Sequence, residues 1–162
     1  MGPARVCPAA GRFASDEMSG DHRFLLDTRG HGIVTIGPMA DRTALVAVVD
    51  DDRSVLRSIE YLLESADYGA RLFTSAQALL ESGCLAEIDC LISDIDMPGM
   101  DGFELLRQVH AARPGLPVIL ITGYPDAVKQ VPPLGETQPR FFTKPFQGAE
   151  LLAAVSDALD FR

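Results

Sequence analysis

An apolar run, "LIS", breaks onto "MPGMDG" through two aspartates one residue apart, Asp94 and Asp96, and an earlier run, "LVAVV", ends on the acidic triplet Asp50 to Asp52. Carboxylates gathered in one place repel, so at least one must hold its proton tightly or a cation must sit among them. An all-oxygen set suits a hard divalent ion. Mg²⁺ keeps several of its waters, so two carboxylates and a carbonyl leave positions free for phosphate oxygens. Beside such an ion a carboxylate can act as the nucleophile in phosphoryl transfer, giving an aspartyl phosphate. The protein must then meet the negative charge spread over the transferred group. Thr122 after "VILI" offers a hydroxyl for that task, and Lys144 after "RFFT" an ammonium.

Such residues need elements that bring them together. Five strand-length runs, "LVAVV" (45–49), "ARLF" (70–73), "DCLIS" (89–93), "VILIT" (118–122) and "RFFT" (140–143), lack polar alternation, as expected of strands covered on both faces. Between them apolar residues recur at the three-and-four spacing of one helical face. Val55, Leu56, Ile59, Leu62, Leu63 and Ala66 follow a cap at Asp52, and Ala76, Leu79 and Leu80 follow a cap at Ser75. Phe103, Leu106 and Val109 repeat the pattern, as do Leu151, Leu152, Val155 and Leu159. Strands alternating with helices imply a parallel sheet with right-handed crossovers, whose sites collect at the carboxyl ends of the strands. Asp50, Asp51, Asp94, Thr122 and Lys144 therefore fall on one rim, and "MPGMDG" is the turn that lets backbone approach it. Between Thr122 and Lys144 stand Pro125, Pro132, Pro133 and Pro139. Proline lacks an amide donor and restricts the residue before it, so any helix there is short, over Asp126 to Val131.

Of the 162 residues, 47% are hydrophobic, enough for a packed core in one domain. A formal net charge of -9 argues against a nucleic-acid surface on this chain, because such surfaces need clustered Lys and Arg. No run approaches the roughly 18 apolar residues of a membrane span, and residues 1–20 lack the apolar block of a signal peptide, so the expected location is cytoplasmic. Cys7, Cys84 and Cys90 include no CxxC pair and suggest no zinc site; Cys90 reads as a core residue. Residues 1–43, rich in Gly, Pro, Ser and charge, read as a flexible N-terminal extension with one candidate hairpin, "RFLL" and "IVTI" around "DTRGHG". Met39 is a second candidate start, so the residues before it need not be native. Residues 44–162 read as the folded domain.

The ordered set "VVDDD", "LISDIDMPGMDG", "ILITGY" and "FFTKPF" resembles the CheY-like receiver domain of two-component response regulators, over about Leu45 to Asp160. In the detail of "MPGMDG" and "ITGY…KPF" it is most similar to the nitrogen-fixation (FixJ-type) subgroup. The resemblance implies an α/β, flavodoxin-like, doubly wound five-stranded parallel sheet of order 2-1-3-4-5 with helices on both faces. Its fourth helix should be short or irregular here. The resemblance further implies that Asp94 is the phosphoacceptor and that Asp50, Asp51, Asp94 and the backbone carbonyl of Asp96 hold Mg²⁺. Thr122 resembles the switch hydroxyl, Lys144 the phosphate-contacting lysine and Phe141 the aromatic that changes rotamer. The Lys144–Pro145 bond is typically cis in the family.

The protein so implied is a signalling switch and not an enzyme. A histidine kinase or phosphotransfer protein donates to Asp94, and a downstream protein target reads the change. No direct nucleic-acid or membrane contact is implied, a homodimer stays open, and no output domain is expected because the chain ends soon after its last helix. Two other readings stand beside it. One is a receiver-like module that works without phosphate, kept open by the proline-rich segment after Thr122. The other is a haloacid-dehalogenase-type phosphatase, suggested by the Asp94-x-Asp96 spacing but opposed by order, since Asp50 and Asp51 precede that pair.

Overall fold

The computed structural model describes residues 43–131 and 138–160. The readings of residues 1–42, including the flexible extension, the hairpin and the second start, lie outside the described residues. The apolar runs form β1 (Leu45–Val49), β2 (Gly69–Phe73), β3 (Cys90–Asp94), β4 (Val118–Thr122) and β5 (Arg140–Thr143). All neighbours are parallel and the order is β2-β1-β3-β4-β5, as the resemblance implies. The α-helices among the described residues are α1 (Arg53–Glu64), α2 (Ala76–Ser82), α3 (Gly102–Ala112) and α4 (Gly148–Asp160).

Successive strand residues face opposite sides of a sheet, so a strand covered twice must be apolar at every position. Val46, Val48, Cys90, Ile92, Ile119 and Ile121 pack with α1 and α4 on one side. Ala47, Val49, Leu91, Val118 and Leu120 pack with α2 and α3 on the other. Each large aliphatic side chain so buried contributes about 1.5–3 kcal/mol. Two-sided cover holds for β1, β3 and β4 but not for the edges, since β2 is only half-buried and β5 exposes Arg140 and Thr143. An edge strand has one neighbour, and its helices overhang it less.

The helix starts follow local chemistry. The Asp52 carboxylate accepts the Ser54 N–H at 2.8 Å, the Ser75 hydroxyl the Ala78 N–H at 3.1 Å, and the Asp101 carboxylate the Glu104 N–H at 2.8 Å. Each such cap stabilises by about 1 kcal/mol. Cys90 is fully buried in the core, as its place in an apolar run suggests. No helix among the described residues is long and apolar enough to cross a membrane.

The β4–β5 crossover opens as a 3₁₀ helix, Pro125–Gln130, one residue earlier than the spacing suggests at each end. Pro125 suits the first position, where no amide donor is needed. Val131 is extended (φ -63°, ψ 121°) because the ring of Pro132 disfavours helix in the residue before it.

In "MPGMDG" the two glycines do different work. Gly99 takes φ 80°, a left-handed turn that most side chains resist. Gly102 starts α3 hard against the end of β3, its N–H donating to the Ile95 carbonyl at 3.0 Å. A Cβ there would lie 2.5 Å from the Asp94 carbonyl oxygen and 2.7 Å from the Ile95 Cα. Neither backbone atom can step aside without moving the strand end. Gly102→Ala is expected to lower stability by about 1–3 kcal/mol, read as a lower urea midpoint with an unchanged m-value.

Candidate metal centre at the sheet rim

Register assembles the rim. Val49 pairs with Ser93, so Asp50 and Asp94 leave the sheet side by side. Asp94 pairs with Ile121 and Thr122 with Thr143, which sets Thr122 and then Lys144 at the same edge. Asp50 is 2%, Asp94 4% and Thr122 0% exposed, whereas Asp51 is open to solvent. Asp50, Asp51 and Asp94 each offer an oxygen within 4.8 Å of the others.

Lys144 answers part of this charge. Its Nζ lies 3.2 Å from Asp50 Oδ2 and 3.3 Å from Asp94 Oδ1. Asp50 Oδ1 also accepts the Asp52 N–H at 2.8 Å. Asp94 Oδ1, in contrast, is buried and receives no hydrogen bond, so the nearby ammonium is not aligned to donate to it. Burial, reinforced by the Asp50 charge, raises the Asp94 carboxyl above its ordinary range, and Lys144 opposes the rise. For Lys144, burial works to lower proton affinity, but the charges of Asp50 and Asp94 outweigh it and hold the ammonium raised. A buried anionic oxygen without a donor, in a cluster of oxygen ligands only, fits a hard divalent cation such as Mg²⁺.

The remaining candidates fall elsewhere. Asp96 is exposed, and its carboxylate is held at the end of β4: Oδ2 accepts the Thr122 hydroxyl at 2.9 Å and lies 3.4 Å from the donating Gly123 N–H. Thr122 Oγ1 in turn accepts the Tyr124 N–H at 2.9 Å. The sequence assigned Asp96 a backbone role only. Its side-chain role shows once β3 and β4 are paired, the available signal being that Asp96 lies two residues past the end of β3 and Thr122 ends the neighbouring β4. Phe141 is half-buried, pairs with Leu120 across the ladder, and packs on the α2–α3 side. The Lys144–Pro145 peptide is cis.

A raised folded pKa gives the sign of a stability effect. The folded Asp94 carboxyl binds its proton more tightly than the unfolded one, so its ionisation costs stability above its folded titration range. That cost fades as pH falls through the range. Asp94→Asn is therefore expected to melt a few degrees above the wild type at about pH 7.5 in chelator, with the gap closing toward about pH 4. Differential scanning calorimetry across that range measures it.

Residues 46–156 match the response regulator receiver domain family. The chain is 35% identical over 114 residues to the transcriptional regulatory protein FixJ of Bradyrhizobium diazoefficiens, covering 70% of this chain and 56% of that protein. It is 35% identical over 121 residues to the response regulator protein TodT of Pseudomonas putida, covering 75% of this chain and 53% of that protein. The chain thus spans about half the length of the curated relatives it matches. A crystal structure of a response regulator receiver domain protein from Clostridium thermocellum aligns with a TM-score of 0.67 at 27% identity, over 73% of this chain and 95% of that one. A five-stranded parallel sheet in this order, an acidic cluster at its carboxyl edge and a family match across that whole sheet agree: the chain belongs to the response regulator receiver domain family.

Proposed function

We propose that the chain is the phosphoacceptor of a two-component phosphorelay, with Asp94 receiving a phosphoryl group from a phosphohistidine on a histidine kinase or phosphotransfer protein. One observation carries the assignment. Of the clustered carboxylates, Asp94 alone has a buried oxygen without a hydrogen bond, at the strand end and 3.3 Å from Lys144. The Asp94 carboxylate attacks phosphorus; an O–P bond forms as the P–N bond breaks, and the imidazole leaves with the electron pair.

Mg²⁺, held by Asp50, Asp51, Asp94 and the backbone carbonyl of Asp96, supplies charge stabilisation when bound. Lys144 stays protonated because its proton affinity is raised, and meets the charge that develops on the phosphoryl oxygens. The Thr122 hydroxyl and the half-buried Phe141 ring then change position and alter a surface that a downstream protein reads. The domain so defined spans 44–162, and FixJ-type relatives support the subgroup reading of its motifs. It works as a switch in the cytoplasm, and a net charge of -9 favours protein partners over direct contact with nucleic acid. The family match and the assembled set of Asp50, Asp51, Asp94 and Lys144 favour this function over a phosphate-independent module and over a haloacid-dehalogenase-type phosphatase.

Incubation with acetyl phosphate and Mg²⁺ is expected to add one phosphoryl group by intact mass. Asp94→Asn and a chelator control should show none, and Lys144→Ala should react about a hundredfold more slowly. A gain of mass in Asp94→Asn would place the phosphoryl group elsewhere and overturn the assignment.

A further inference from the structure

Thr122 has no exposed surface and its hydroxyl carries a single proton. In this structure that proton points to Asp96 Oδ2, 2.9 Å away, while the oxygen accepts the Tyr124 N–H at 2.9 Å. The Gly123 N–H is directed to the same Asp96 oxygen at 3.4 Å. A hydroxyl and an amide converging on one carboxylate oxygen form a small anion receptor, and it stands at the rim where β4 ends beside Asp94. The receptor is already filled, by an anion from this same chain.

We propose that the Asp96 carboxylate is an internal competitor for the phosphoryl group: it occupies the Thr122 hydroxyl and Gly123 amide in the unmodified protein, and a phosphoryl group on Asp94 must displace it to reach them. The inference rests on Asp94 being the phosphoacceptor. Its chemistry is an exchange of acceptors in which no covalent bond changes. The competitor can leave, because Asp96 is exposed and borders an open cleft of about 540 Å³ shared with Met97, Asp101 and Tyr124. The displaced carboxylate finds water there. Thr122 also keeps a second, longer acceptor in the Tyr124 carbonyl at 3.3 Å, so removing the Asp96 side chain does not strand a buried hydroxyl. A charged acceptor makes the stronger hydrogen bond, which is why Asp96 and not that carbonyl holds the proton.

Beryllofluoride, a phosphoryl mimic, tests this without a kinase. Its half-saturating concentration in excess Mg²⁺ is read from the amide shifts of Thr122 and Gly123 in wild type, Asp96→Ala and Asp96→Asn, each also in a Thr122→Ala background. Asp96→Ala should bind about five- to tenfold more tightly than wild type, the gain expected on freeing a charge-assisted hydrogen bond near the surface. Asp96→Asn, which keeps an acceptor oxygen but loses the charge, should fall between. The gain should shrink to under about twofold when Thr122 is Ala, because the contested donor is gone. Equal or weaker binding by Asp96→Ala overturns the inference and leaves the phosphoacceptor function standing. An equal gain in both backgrounds overturns it too, since simple charge repulsion would then account for the effect. No response in the wild type overturns the phosphoacceptor function and this inference with it.

Discussion

Asp50 and Asp94 leave adjacent strands side by side, lose nearly all their water, and share one ammonium from the end of β5. Two buried anions against a single cation leave uncompensated charge in a place of low dielectric. Such a site persists only if the surrounding structure holds it by force of packing. The parallel register does so. A slip of one residue would turn Asp94 to the other face of the sheet and carry Leu91 and Ile92, both fully buried, into the wrong helix layers. The apolar interior thus underwrites a charged cluster that contributes little to stability by itself.

The strand cores are legible in the sequence because a strand covered twice has no choice but to be apolar throughout. Their ends are less so, since hydrogen bonding and not hydropathy ends a strand. Gly69 belongs to β2 because its N–H bonds to Ala44, and Asp94 belongs to β3 because it pairs with Ile121; neither residue is apolar. Helical faces blur for a similar reason. A spacing of three or four accommodates either neighbour, so α3 buries Leu105 beside Leu106 and Val109 and leaves Phe103 half-buried. The rim residues stand out because each one stops an apolar run at the same edge. Their contacts do not, because a side chain's direction depends on the loop that carries it. Asp96 is the case in point: its spacing from Asp94 suggests a metal neighbour, and the turn after β3 points its carboxylate at β4 instead.

The β4–β5 crossover shows the same division between pattern and placement. Proline restricts its own φ and its predecessor's ψ, a local effect that needs no tertiary context, so the shortness of the helix is readable in advance. The 3₁₀ geometry of Pro125–Gln130 is not, because it comes from how the segment must leave Tyr124, whose N–H is tied to Thr122. That tie makes the start of the crossover continuous with the rim. A change in the Thr122 hydroxyl reaches Tyr124 through one hydrogen bond, and 67% of the Tyr124 surface is exposed. One hydrogen bond thus joins a fully buried hydroxyl to a residue whose aromatic side chain lies on the outside of the molecule.

Asp94 and Asp96 are the same residue type two positions apart, and environment divides their work. Asp94 is almost fully buried, and its Oδ1 accepts no hydrogen bond and has the Lys144 ammonium 3.3 Å away. Asp96 keeps its water and has two donors as well, so letting go of them costs it little. The burden of the exchange falls on Thr122, which is fully buried and cannot be left without an acceptor. Trading one anion for another keeps its hydroxyl satisfied before and after. A transition that strands no buried polar group avoids that desolvation cost, so less differential affinity is needed to move the population between its two states.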